Sequence, residues 1–251
     1  MSKNLKKGKI AIVTGGSRGI GRAISVMLAE HFADTVFVNY LENSDAAEET
    51  KLIVEQAGAI CELMQANISR PNDITDMFQE IANKVEKIDY FIHCAAINAF
   101  KPLKDIKPNQ WDLIVNTNAR SFLLCTQSVT TMMDSGVIVA ITSLGSRRFI
   151  KNYGAMGPTK AALEATIRTL AVELAPQSIR VNGVCASFVE TDSLKWFPEY
   201  KKMLNEVKRL TPAGRIGKPK DIANLVKFLC SEESNWICGQ QVVIDGGLSV
   251  L

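Results

Sequence analysis

The chain has 251 residues, a hydrophobic content of 47% and a formal net charge of +3. That is enough apolar material to cover both faces of a sheet, and too little charge to argue for a nucleic-acid partner. No apolar run reaches membrane-spanning length, and Met1 to Lys9 is a short polar, basic lead without a signal-peptide core. The expectation is a cytoplasmic protein with no membrane association. The six cysteines, Cys61, Cys94, Cys125, Cys185, Cys230 and Cys238, form no C-x-x-C pair, and several sit in apolar runs. They read as buried free thiols in a reducing compartment. His31 and His93 are too isolated for a metal site, and none is expected.

Ile10-Ala11-Ile12-Val13 is an apolar strand that leads directly into Thr14-Gly15-Gly16-Ser17-Arg18-Gly19-Ile20-Gly21. Ile24, Met27 and Leu28 then recur at helical spacing. Strand, glycine turn and helix in that order make a phosphate cradle. Gly15, Gly19 and Gly21 let backbone N–H groups approach an anion, and the helix start adds unpaired donors and partial positive charge. Ser17, Arg18 and Ile20 belong to the same turn. The G-x-x-x-G-x-G spacing resembles that of the short-chain dehydrogenase/reductase superfamily.

Thr35 to Val38 is the second strand and ends at Asn39-Tyr40. Dinucleotide folds place an acidic residue near this point for the ribose hydroxyl of NAD. Asn39 carries no charge to repel a ribose phosphate and Arg18 offers one to attract it, so NADPH is the expected cofactor. Residues 43–57 read as a helix and Ala59 to Met64 as the third strand. The resemblance places Asn67 and Ile68 against the adenine ring. Pro71 opens the next helix, and Asp89 to Cys94 is the fourth strand. The superfamily's N-N-A-G is replaced by His93-Cys94-Ala95-Ala96, in which Ala95 keeps a small residue beside the cofactor.

Trp111 to Thr131 is apolar-periodic and reads as one long helix. Within it Asn118 matches the superfamily's helix asparagine, which supports the water or backbone beside the catalytic lysine. Residues 136–141 form the fifth strand and deliver Ser143, which aligns with the superfamily's catalytic serine, to the sheet's carboxyl end. Lys160 opens a helix. Ketone-reducing members carry tyrosine four residues before this lysine, but here that position is Met156, and the nearest tyrosine is Tyr153. Tyrosine, six residues, lysine resembles the enoyl-[acyl carrier protein] reductases. The surrounding N-Y-x-x-M-G-x-x-K-A-x-L-E-A, with SLGS at 143–146, WFP at 196–198 and TPAGR at 211–215, is most similar to the FabL type, over nearly all of residues 8–251.

The offset has a chemical reason. In ketone reduction the acid serves the oxygen on the carbon that accepts hydride. In enoyl reduction hydride goes to C3 while charge develops on the thioester oxygen at C1, further from the nicotinamide. A displaced tyrosine meets that oxygen. Tyr153 is therefore expected to stabilise the enolate. Lys160 is expected to hold the nicotinamide ribose and favour the tyrosine's ionisation, with solvent or a relay protonating C2. Pro158 puts the helix start near Gly157, with Tyr153 on the preceding loop.

Residues 179–184 are the sixth strand. The resemblance implies that Val189 and Thr191 touch the carboxamide end of the cofactor. Residues 193–210 read as an apolar lid in which Leu194, Trp196 and Phe197, with Tyr153 and Met156, contact an acyl chain. Lys201, Lys202, Lys208 and Arg209 flank it and suit an acidic acyl carrier protein, with coenzyme A thioesters as the other substrate form. Residues 219–230 and Gln241 to Ile244 close a single α/β domain of Rossmann type, a doubly wound parallel sheet of seven strands. The resemblance implies a homotetramer. A ketoreductase acting on 3-oxoacyl or other carbonyl substrates is the alternative activity.

Overall fold

Ile10–Thr14 (β1) is buried along its whole length, and its side chains alternate between two cores. Ile10 and Ile12 join Phe37, Phe91, Phe122 and Ile138 on one side of the sheet. Ala11 and Val13 join Val36, Val38, Ile92 and Val139 on the other. Only a strand covered by helices on both faces reads as such a continuous apolar run. The computed structural model describes residues 8–251. Most of the lead from Met1 to Lys9 lies outside the described residues.

The remaining strands are Thr35–Tyr40 (β2), Ile60–Gln65 (β3), Tyr90–His93 (β4), Gly136–Ser143 (β5), Ile179–Ala186 (β6) and Gln241–Ile244 (β7). They form one parallel sheet in the order β3-β2-β1-β4-β5-β6-β7. This is a single-domain Rossmann fold. Gly19–His31 (α1), Ser44–Gln56 (α2) and Pro219–Cys230 (α8) contribute Ile24, Leu28, Val54, Ile222 and Val226 to one core. Pro71–Ala82 (α3), Ser121–Thr130 (α5) and Met156–Leu174 (α6) contribute Phe78, Phe122, Leu163 and Ile167 to the other. Local chemistry sets the boundaries. Asn43 caps α2 by accepting from the Ala46 N–H at 2.9 Å, and Pro71 opens α3 where its missing N–H is harmless. No helix among the described residues is long and apolar enough to cross a membrane.

Two elements differ from the expectation. The helix expected from Trp111 begins at Pro108 and is interrupted. Pro108–Val115 (α4) passes through a π-helical turn at Asn116–Arg120 before continuing as α5. The inserted turn carries Asn118, and periodicity gives no sign of it. The segment 193–210 is a 3₁₀ turn at Asp192–Trp196 followed by Tyr200–Leu210 (α7). With Ile216 it builds a third, separate apolar cluster around Leu194, Phe197 and Val207.

Chain direction across the sheet reverses between β1 and β4, which lie in register with Thr14 opposite His93. In open α/β sheets, the crevice at the carboxyl ends of such a pair is where ligands bind. The turns after β1, β4, β5 and β6 meet around it.

Candidate active site

The glycine turn comes straight out of β1 at this crevice. Gly15 holds φ +63°, and a Cβ there would come within 2.8 Å of the Ala95 backbone. The turn after β1 and the turn after β4 therefore touch only because side chains are absent. On the other flank, a Cβ on Gly19 would meet Thr191 at 3.3 Å. The exposed Arg18 faces Asp192, whose carboxyl is held below its usual range by Lys195 first and by Arg18 more weakly. Arg18 caps α1 with no side-chain hydrogen bond, so no capping side chain covers the helix's first N–H groups. The turn itself is clamped from behind: Ser17 O accepts from Thr50 Oγ1 at 2.6 Å and from Arg22 Nε at 3.3 Å.

Asn39 is turned inward at the end of β2. It is 2% exposed; its Oδ1 accepts from Gly15 N at 3.3 Å, and its Nδ2 donates to Met64 O and Ala66 O at 3.1 Å each. The side chain ties β2 to β3 and to the glycine turn. Tyr40 is half-buried at the end of β2. After β3, Ile68 is buried, while Asn67 Oδ1 accepts from Ser69 N at 3.0 Å and organises its own turn. Val189 is buried and pairs with Gly217.

Tyr153 lies on the loop before α6, between two residues in left-handed conformation, Asn152 at φ +61° and Gly154 at φ +43°. Its Oη is 2.9 Å from Ser143 Oγ. Ser143 Oγ in turn accepts from Gly145 N at 3.2 Å. A Cβ on Gly145 would overlap Cδ1 and Cε1 of the Tyr153 ring, so the ring packs flat on a bare backbone. Burial raises the Tyr153 phenol pKa, opposed by the Ser143 bond, with a lesser upward contribution from Cys185.

Lys160 is 3% exposed, and its Nζ donates to Ile141 O at 2.6 Å. Burial brings its pKa down to about 8, opposed by Cys94 and Glu164. His93 beneath it stays neutral, its pKa lowered to about 3 by burial first and then by Lys160. Its ring nitrogens lie 3.0 Å from Thr14 Oγ1 and 3.3 Å from Ser121 Oγ.

Asn118, 0% exposed, clamps the chain after β4. Its Oδ1 accepts from Ile97 N, and its Nδ2 is 2.9 Å from Ile97 O, 3.1 Å from Met156 Sδ and 3.2 Å from Thr159 Oγ1. Met156 thus turns its thioether toward an amide. Next to Ile97, Asn98 buries both amide atoms with no hydrogen-bond partner among the described residues. Such an amide marks a place for a ligand or water.

Phe197 stacks on Tyr153 with ring centroids 6.2 Å apart and packs on Phe100 at 4.2 Å and on Phe188 at 6.1 Å. Leu194 lies in the same cluster. Trp196 does not: it is 78% exposed and stays outside the cluster expected to hold it. Among the described residues no group of three or more His, Cys, Asp or Glu side chains is arranged to hold a metal ion.

Residues 15–249 match the family model described as Enoyl-(Acyl carrier protein) reductase. The chain belongs to the short-chain dehydrogenase/reductase superfamily. It is 37% identical over 246 residues to 1-cyclohexenylcarbonyl-CoA reductase of Streptomyces collinus, a match covering 97% of this chain and 88% of that one. It is 33% identical over 253 residues to the 3-oxoacyl-[acyl-carrier-protein] reductase FabG of Staphylococcus epidermidis, covering 96% of this chain and 98% of that one. Among solved structures, a 7α-hydroxysteroid dehydrogenase complexed with NADH and 7-oxo glycochenodeoxycholic acid aligns with a TM-score of 0.88 at 31% identity, covering 97% of this chain and 96% of that one. A putative short-chain alcohol dehydrogenase from Sinorhizobium meliloti aligns with a TM-score of 0.91 at 29% identity, covering 99% of each chain. The chain is an oxidoreductase of that superfamily.

Sequence reasoning singled out Tyr153, Ser143, Lys160 and Asn118, which the fold gathers around the ends of β4 and β5. It missed Gly145, Arg22, Asn98 and Glu164. Gly145 and Glu164 carried a local signal, the first in the S-L-G-S run and the second in the K-A-x-L-E-A stretch after Lys160.

The buried Lys160 gives a pH signature. Its pKa is lower in the folded chain than the 10.5 of an unperturbed lysine, so the unfolded state binds more protons between about pH 8 and that value. Stability contributed at this site rises with pH across that window. Relative to Lys160→Met, the unmutated cofactor-free protein should gain about 3 kcal/mol between neutral pH and pH 10.5. Chemical denaturation of both proteins across that range checks this. A constant difference would mean that Lys160 is not buried as a charge.

Proposed function

We propose that the protein is an NADPH-dependent enoyl-[acyl carrier protein] reductase of FabL type, reducing trans-2-enoyl thioesters to saturated acyl thioesters. One observation carries the reading: the hydroxyl at this site is Tyr153 Oη on the loop, 2.9 Å from Ser143, while the ketoreductase position holds the Met156 thioether turned to Asn118. The 37% identical 1-cyclohexenylcarbonyl-CoA reductase supports it, since that substrate carries a C=C bond beside its thioester carbonyl.

The cradle fits a dinucleotide. Gly15 and Gly19 leave room where a Cβ would collide, and the uncapped start of α1 offers N–H donors to a pyrophosphate. Ser17, Ile20 and Gly21 complete that turn. Tyr40, Asn67, Ile68 and Ala95 line the adenosine side, and Val189 and Thr191 the carboxamide side. Arg18 at the exposed rim suits a ribose phosphate, and the inward-turned Asn39 leaves no acidic group at the end of β2 to oppose it. A bound reduced nicotinamide supplies the hydride, which no side chain here can.

The protein's part is to hold atoms and charge. Lys160 uses one of its three N–H donors on Ile141 O and keeps two for ribose hydroxyls. Burial keeps the proton on Tyr153 at neutral pH, so the tyrosine acts as a donor. Gly145 N–H donates to Ser143 Oγ, and the 2.9 Å Ser143–Tyr153 contact allows Ser143 O–H to donate to Tyr153 Oη, which leaves Tyr153 O–H for the thioester oxygen as it gains charge. Leu194 and Phe197, with Met203 and Leu204 against them, form the lid over the acyl chain. The carrier is an acyl carrier protein or coenzyme A, drawn by Lys201, Lys202, Lys208 and Arg209. Exposed Trp111, Leu113 and Val172 support assembly into a homotetramer.

The Ser143–Tyr153 pair also favours a second reading. A serine beside a tyrosine suits ketone reduction, and FabG is a 33% identical relative. NADPH oxidation with crotonyl and acetoacetyl thioesters separates the two, with faster turnover of the crotonyl substrate expected. Tyr153→Phe should lower turnover about a hundredfold, the loss of about 3 kcal/mol for one oxyanion donor, and leave NADPH affinity nearly unchanged. Faster acetoacetyl turnover, abolished in Tyr153→Phe, would reverse the assignment.

For the cofactor, NADPH should bind more tightly than NADH, and Arg18→Ala should weaken NADPH about tenfold with little effect on NADH. Equal affinities in the unmutated protein would contradict this.

A further inference from the structure

Glu164 is a buried acid that the reaction scheme does not use. It lies one helical turn after Lys160 on α6 and is 6% exposed. A carboxylate is tolerated at such a depth only when its oxygens are satisfied. Here Oε1 accepts from Thr142 Oγ1 at 3.0 Å and lies 2.7 Å from Ser146 Oγ, while Oε2 accepts from Arg147 Nε at 3.3 Å. Ser146 Oγ is also 2.7 Å from Ser143 O, so its single proton is divided between that carbonyl and the carboxylate.

These contacts bracket the turn at Leu144–Ser146 from both sides. The turn carries the two features that place Tyr153: the Ser143 hydroxyl bonded to its Oη, and the bare backbone of Gly145 under its ring. Lys160 and Glu164 also grip consecutive residues of β5, the lysine through Ile141 O and the acid through Thr142. The charged or titratable groups facing this pair are Arg147 on the turn, Cys94 and His93 at the end of β4, and Cys185 on β6. Only Arg147 and Lys160 among them carry charge at neutral pH. The cysteine thiols are pushed up by burial, and His93 is held neutral.

We propose that Glu164 is a positioning residue for the reaction: it holds the Leu144–Ser146 turn that seats Ser143 and Tyr153, and its negative charge stabilises the ammonium of Lys160 four residues earlier. The inference rests on Tyr153 and Lys160 serving a reductase, as proposed above, and not on which thioester is reduced. The carboxylate thus does two separable jobs, one through its oxygens as acceptors and one through its charge.

Glu164→Gln and Glu164→Ala separate them. Turnover is measured against pH with NADPH and whichever of the two thioesters the unmutated enzyme prefers, and NADPH affinity is measured against pH by fluorescence. Glu164→Gln keeps an acceptor for Thr142 and Ser146, so turnover at neutral pH should stay within about threefold of the unmutated enzyme. Its alkaline limb should move to lower pH by about half a unit or more, because Lys160 loses an opposing charge. Glu164→Ala should show the same displaced limb. Its turnover should fall about tenfold or more, with KM for the thioester changed less than about threefold.

An alkaline limb unmoved in Glu164→Gln overturns the charge role. Equal turnover of Glu164→Ala and the unmutated enzyme, or a Glu164→Gln variant as slow as Glu164→Ala, overturns the positioning role. If Glu164→Ala does not fold, Glu164→Gln decides both. The limb is also read in NADPH affinity, which needs no thioester, so failure of the enoyl assignment leaves this test intact.

Discussion

A single buried hydrogen bond, from Lys160 Nζ to Ile141 O at 2.6 Å, sets the register of everything at the reacting end of the molecule. An ammonium is costly to bury, and this one is held where helix α6 crosses the end of strand β5. Once α6 is fixed there, the loop before it can only place Tyr153 over the turn that leaves β5. That turn accepts the ring because Gly145 has no side chain. The opposite wall depends on the same helix, since Asn118 reaches Met156 and Thr159 on α6 while clamping Ile97 after β4. Sheet, helix and loops thus converge on one lysine that is itself part of the candidate site.

The sheet and the residues that the fold gathers at the candidate site were legible in the sequence because their signals are local. Runs such as Ile10 to Val13 can only be strands covered on both faces, and Pro158 correctly marked the start of a helix with Tyr153 outside it. The offset between Tyr153 and Lys160 is a one-dimensional fact with a three-dimensional consequence, and it pointed to Tyr153 and away from Met156. The illegible parts are set by tertiary contacts. Asn39 stands at the end of β2, but nothing in its position shows that four backbone groups bond its amide and hold it inside. Trp196 fits an apolar lid by composition, yet the 3₁₀ turn aims it outward while Leu194 and Phe197 go in. The π turn at Asn116–Arg120 leaves the hydrophobic period of its helix readable, so the extra residue is invisible to it.

The choice between a ketone and an enoyl thioester comes down to where a hydrogen-bond donor stands. A tyrosine on the helix one turn before the lysine is fixed by helical geometry. Tyr153 is instead fixed by a strained loop, a serine and a glycine, and its neighbour in space is Phe197 of the proposed lid. That couples the donor to whatever apolar chain lies against Phe197. An acyl thioester presents such a chain and a carbonyl oxygen together, one carbon removed from the C=C bond that accepts hydride.

The atom that receives the hydride distinguishes enoyl reduction from ketone reduction. The direct measurement is the fate of deuterium carried at the transferable position of the reduced cofactor, followed by mass spectrometry and NMR of the product. A crotonyl thioester should yield a saturated butyryl thioester with the label at C3. Label found only on the carbinol carbon of a 3-hydroxyacyl product formed from the acetoacetyl thioester, with none entering from the crotonyl substrate, would contradict it.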